Sequence, residues 1–239
     1  TCALLTDESA WTQLNKIIDT DTTLRCDKVY TLQGLTFITG GATLTIEAGT
    51  TILGSEGTAL VATQDGKLIT NGTAEAPVVL TSINAVSPNP RAAGDWGGLV
   101  LLGNAPINVE GGTNLIEGID VSSPDVPDNG SRYGGDDAAY DCGSLTYTRV
   151  EFAGFELTQG NELNGVTLGG CGTATNINYL QVHEGLDDGV EIFGGAPNIK
   201  HLVLSNIEDD SLDWDQGFTG KIQFMLVQQK ANDADNGIE

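Results

Sequence analysis

In the last third of the chain, short apolar runs recur at a nearly constant interval, separated by acidic turns. Three segments align: INYLQVHEGLDDGVEIFGG from Ile177, IKHLVLSNIEDDSLDWDQG from Ile199 and IQFMLVQQKANDADNGIE from Ile222. Their starts lie 22 and 23 residues apart, a period that belongs to solenoids whose coils stack on one another. Ile177, Ile199 and Ile222 form one column of this alignment, Leu180, Leu202 and Met225 a second, and Val182, Leu204 and Val227 a third. After the acidic turn, Val190, Leu212 and Ile238 align, followed by Ile192 and Trp214. The runs are too short for helices, and no 3.6-residue period separates them. Between them lie Gly, Asn and Asp, which accept the left-handed conformations that coil corners need. The expected fold is all-β, a parallel β-helix in which equivalent residues sit about 4.8 Å apart up each column.

The same pattern extends backwards. Asn164-Gly165-Val166-Thr167-Leu168 matches Asp188-Gly189-Val190-Glu191-Ile192, and Leu44 and Leu68 occupy corresponding places in two earlier coils. Strand character continues through Trp96–Val109. Residues 110–141, rich in Gly, Asp, Pro and Ser, break the period and are expected to form a long surface insertion. Residues 1–28 are expected to cap the first coil, with a helix in SAWTQLNKIIDT (Ser9–Thr20), and the coils are expected to run over 29–239. The chain stops part-way through a coil at Ile238 and Glu239, so a continuation or a docked neighbour is expected there.

Composition adds further constraints. With 32 glycines, 6% aromatics and 39% hydrophobic residues among 239, the chain is turn-rich yet able to fill a core. No apolar run is long enough to span a membrane. The 33 acidic residues against 10 basic ones leave a net charge of −23, which excludes nucleic acid as a partner. Cys2, Cys26, Cys142 and Cys171 form no CxxC pair, and only His183 and His201 could add nitrogen ligands, which argues against zinc. The four cysteines allow three pairings. Cys2 with Cys26 would staple the cap, and Cys142 with Cys171 would join neighbouring coils, as suits an oxidising exterior.

The acidic positions also fall into columns. Asp187 and Asp188 stack on Asp209 and Asp210, then on Asn232 and Asp233, or on Asp235 and Asn236 if three residues loop out. Glu191 stacks on Asp213, and on Glu239 in the looped-out register. Carboxylates one coil apart repel unless protons, amides or cations relieve them. Hard oxygen ligands so spaced suit Ca2+, which takes six to eight oxygens at about 2.3–2.6 Å. A second candidate lies at Asp136, Asp137 and Asp141, on a Gly-containing loop. No catalytic residue is assigned. The aspartate-rich turns resemble those of polygalacturonases, but Gly-His-Gly and Arg-Ile-Lys segments are missing. A lyase needs a strong base, and none of the four arginines lies in the acidic repeats.

The segments GATLTIEAGTTI, GTAEAPVVLTS, GDWGGLVLLGNAPIN, YGGDDA, RVEFAGFEL, NELNGVTLGG, VHEGLDDGVEIFGG and DWDQGFTGKIQF follow an order that resembles a group of secreted or surface-anchored bacterial proteins, common in Bacteroidota and some Proteobacteria. The resemblance runs from about Thr31 to the end. It implies a right-handed parallel β-helix at the cell exterior, and it implies no particular reaction. Cys142 and Cys171 depart from that pattern, in which small or aliphatic residues are usual. The expected function is structural or adhesive: a calcium-stabilised acidic solenoid that self-associates or joins neighbouring surface domains. The alternative is a carbohydrate-active β-helix that binds or cleaves a polysaccharide.

Overall fold

The computed structural model describes residues 1–158, 161–231 and 234–239. It shows a right-handed parallel β-helix whose coils turn through three faces. The first face stacks Trp11–Gln13, Val29–Thr31, Thr51–Gly54 and Val78–Ser82. The second stacks Ile17–Ile18, Leu35–Ile38, Ala59–Ala62, Gly98–Leu102, Val166–Gly169, Val190–Phe193 and Leu212–Asp215. Thr22–Leu24, Thr43–Glu47 and Lys67–Asn71 begin the third. From there on, the third face and the first face of the next coil fuse into single long strands: Gly143–Glu151, Asn176–His183, Asn198–Ser205 and Lys221–Gln228. Every pairing between coils is parallel among the described residues.

The register is the one the apolar columns require. Ile177, Ile199 and Ile222 are direct neighbours, as are Leu180, Leu202 and Met225, and Val182, Leu204 and Val227. Val190 pairs with Leu212 and Ile192 with Trp214, and Leu44 pairs with Leu68. Most of these side chains are buried in one core cluster that runs the length of the tube. Burying a Leu or Ile contributes about 1.5–3 kcal/mol, so a shift of one residue, which would turn each column outward, is strongly disfavoured.

The helix expected in Ser9–Thr20 does not form. Only a single 3-10 turn occurs, at Glu8–Ala10, and the residues after it make the short strands Trp11–Gln13, Ile17–Ile18 and Thr22–Leu24. The cause is the open edge of the coil that follows. Leu14 N donates to Thr31 O, Phe37 N to Lys16 O and Thr39 N to Ile18 O. A helix bonds its own backbone and could supply none of these partners. Leu14, Ile18 and Leu24 point inward and are buried. Both disulfides join the pairs weighed from the sequence, Cys2 to Cys26 and Cys142 to Cys171.

The insertion lies on the outside, as expected, but it is not a purely polar loop. Asn114–Leu115 and Arg132–Tyr133 form a small antiparallel hairpin. Ile107, Ile116, Ile119 and Tyr133 bury themselves against the outer side of the second face, over Phe37, Val61, Val100, Leu102 and Phe193. Polar ties reach from one end of the tube to the other. Lys16 pairs with Asp125 at 2.6 Å, Asn129 Nδ2 donates to Asp65, and Tyr133 Oη donates to Gln216 Oε1.

Candidate functional site

The acidic turns meet at the corner between the first and second faces, over the last coils. Gly189 N donates to Asp210 O, and Asp210 N donates to Asp188 Oδ1 at 3.0 Å, so the two Asp pairs lie one above the other. The next step uses the looped-out register. Ser211 N donates to Asn236 O, Asn236 N donates to Asp210 Oδ1 at 2.7 Å, and Glu239 N donates to Leu212 O. This places Asp235 and Asn236 beyond Asp209 and Asp210, and Glu239 beyond Asp213. Asn232 and Asp233 lie outside the described residues.

Local sequence explains the tightness of this corner. A Cβ at Gly189 would stand 2.5 Å from Ser211 O, and Gly154, at φ +95°, would meet the backbone N of Asp187 at 2.8 Å. Side chains at either position would push the coils apart, and the carboxylates with them.

Three overlapping groups have carboxylate oxygens within 4.8 Å of one another: Asp187, Asp188 and Asp209; Asp188, Glu191 and Asp213; and Asp209, Asp210 and Asp235. None of the ion pairs among the described residues reaches them; Lys230, nearby in sequence, pairs with Glu184 and Glu208. Burial, then the charges of Glu162, Asp209 and Glu117, pushes Asp187 up to about 7. Burial and the Asp187 carboxylate push Asp188 up to about 8. Burial, with Asp188 and Glu117, pushes Glu191 up to about 9, against a hydrogen bond from Asn164. Burial and neighbouring acids also raise Asp209 and Asp213.

A neutral side chain completes the corner. Asn164 is buried, and its Nδ2 donates to Glu191 Oε2 at 2.5 Å and to Thr167 Oγ1 at 3.3 Å. Its Oδ1 is buried and has no hydrogen-bond partner. An orphaned buried carbonyl costs about 1–3 kcal/mol, and an amide oxygen is among the hard ligands that Ca2+ accepts alongside carboxylates.

The second candidate does not gather. Asp136 and Asp137 are exposed, and Asp137 Oδ1 caps Ala139 N. Asp141 accepts from Gly143 N and pairs with Lys67 at 2.6 Å. None of the three joins a carboxylate group among the described residues. Sequence columns also missed Glu117 and Glu162, whose charges act on the corner although they belong to no repeat position.

Another feature escaped the sequence. Tyr147, Tyr179, His201 and Phe224 take up positive φ at the corner between the third and first faces. Their rings stack with centroids 4.2, 4.3 and 5.1 Å apart, at 3°, 7° and 16°. Beside them runs a groove of about 690 Å³ bordered by Thr73, Pro77 and Arg149. The ring faces cover one another, so the groove sees mostly ring edges. A pyranose stacks on an open ring face; none is offered between the rings, but Phe224, which stacks on His201 alone, is exposed at the end of the ladder.

A parallel β-helix with a carboxylate-lined corner is thus the class of protein that fold and site define. The chain belongs to the pectate-lyase-like β-helix domain family, whose model matches residues 16–239. No curated protein and no solved structure matches it.

Proposed function

We propose that the protein is an extracellular structural or adhesive β-helix that binds Ca2+ along its acidic corner and uses it to hold the last coils rigid. The observation that carries this reading is the set of overlapping carboxylate groups, without a cationic partner among the described residues, beside the buried Asn164 amide that donates to Glu191. Such a set repels itself when ionised, and a divalent ion with flexible oxygen coordination converts that repulsion into cross-links between coils. The two disulfides suit an oxidising exterior, and no helix among the described residues is long and apolar enough to cross a membrane. The exposed Phe224 and Leu226 on the last long strand suit contact with a second copy or a neighbouring domain.

The test is thermal unfolding with 2 mM Ca2+ or excess chelator, alongside terbium luminescence excited through Trp214. A calcium-dependent rise in Tm and saturable terbium emission are expected. Identical melting curves and no emission would sink the proposal.

Family membership favours a second reading, a carbohydrate-active protein. Incubation with a panel of acidic and neutral polysaccharides decides it. Release of unsaturated or reducing ends, or retardation in a glycan-loaded gel, would favour this reading.

A further inference from the structure

The column of outward residues on the second face changes character part-way along the tube. It reads Phe37, Val61, Val100, Thr167, Glu191, Asp213, each paired with the next. The insertion covers the apolar half, anchored by Ile116 and Ile119. Glu117 lies between those two anchors and is therefore held where the cover meets the acidic half. Gly118, at φ +69°, packs so closely on the next segment that a Cβ would stand 2.5 Å from the Leu163 side chain and 2.7 Å from Glu162 O. Leu163 is buried, and the next residue, Asn164, is the one whose amide grips Glu191. Glu117 and Glu162 are thus brought side by side, with Glu162 two residues before Asn164.

We propose, on the reading that the corner binds a divalent cation, that Glu117 and Glu162 form its outer wall, so that the bound ion ties the insertion and the segment around residue 162 to the last coils. Two acids from outside the repeat, Glu117 and Glu162, thus stand at the edge of the corner that holds Asp187 and Glu191, with Asn164 Nδ2 on Glu191 Oε2 joining the two borders. Without an ion, this border repels. With one, the same four carboxylates become attractive to a common centre, directly or through the ion's water. Beside them the Asn164 side chain reaches Glu191 through Nδ2 and leaves its buried Oδ1 without a partner, an acceptor that an ion or its water can take up.

The experiment uses the whole chain. Calcium affinity is measured by calorimetry for the native protein, for Glu117→Gln and for Glu117→Gln/Glu162→Gln, with hydrogen–deuterium exchange of residues 110–135 followed with and without calcium. Near-UV circular dichroism checks that each variant is folded. Expected are at least tenfold weaker binding in the double variant and calcium-dependent slowing of exchange in the insertion that the double variant loses. Tight binding with unchanged affinity and exchange in both variants would overturn this inference and leave the corner reading intact. No calcium binding by the native protein would overturn both.

Discussion

Two acidic turns of the same solenoid have opposite electrostatics. Asp65, in the turn between the second and third faces, is surrounded by donors. Thr63 Oγ1 at 2.6 Å, Thr39 Oγ1 at 3.0 Å, Asn129 Nδ2 at 2.6 Å and Gly40 N at 3.0 Å all point at its carboxylate. Burial raises its pKa, but these hydrogen bonds together hold it below the ordinary value. Asp187 and Asp188, in the turn between the first and second faces, are pushed up to about 7 and about 8, first by burial and then by the acids around them. One turn satisfies its charge internally; the other leaves it open. Acidic turns are therefore not equivalent evidence of cation binding, and what decides is whether the neighbouring column supplies donors or more carboxylates.

The largest expected effect that sharpens this contrast comes from the cation itself. Calcium at about a hundred times its dissociation constant adds about 2.7 kcal/mol per site, and for a chain of this size each kcal/mol moves Tm by about 2–4 °C. Chelation at pH 8 should therefore lower Tm by about 5–10 °C, as differential scanning calorimetry will show.

Next is pH. Asp187, Asp188 and Glu191 hold protons in the fold well above the pH at which the unfolded chain releases them, and Asp209 and Asp213 shift the same way. In the cation-free protein these five groups therefore contribute fully only at and below the ordinary carboxylate range, near pH 4. It should lose stability as pH rises towards 9, by up to about 1.4 kcal/mol per pH unit for each group so titrating. Calcium should flatten this decline, because the ion replaces the protons, and calorimetry in two buffers should detect their release. A stability that instead rises with pH in chelator would break the contrast.

Smaller effects separate the two turns directly. Asp188→Asn should stabilise the cation-free protein at pH 8 and reduce the gain from calcium. Asp65→Asn should cost about 1 kcal/mol in chelator and in calcium alike, because it weakens hydrogen bonds only. Smallest is Tyr179→Phe, which keeps the ring stack and should change denaturant unfolding by under about 0.5 kcal/mol.

Much of the tube was legible because columns of like residues repeat at the coil spacing. Ile177 over Ile199 over Ile222 needs only counting. The acidic columns were equally countable, up to the looped-out step at Asp235 and Asn236, for which two registers remained. The first coil was not legible. Trp11, Leu14, Ile17 and Ile18 suit a helical face or a rung end equally well, and only the hydrogen-bonding needs of the strand at Val29–Thr31 decide between them. The aromatic ladder hid for another reason. Tyr147, Tyr179, His201 and Phe224 look unlike one another, and their shared trait is a left-handed backbone, which ordinary residues adopt at about 1–2 kcal/mol each and which their stacking offsets.

What the amino-acid order settles here is spacing: which residues recur every 22 or 23 positions, which of them are apolar, and where carboxylates accumulate. Only the closed tube decides the rest. It sets which acids find donors and which find one another, and it brings Glu117 and Glu162, far away in sequence, to the corner's edge. The physical reason is range. Period and polarity are local properties of a chain, whereas desolvation and charge repulsion depend on what the fold stacks within a few ångströms.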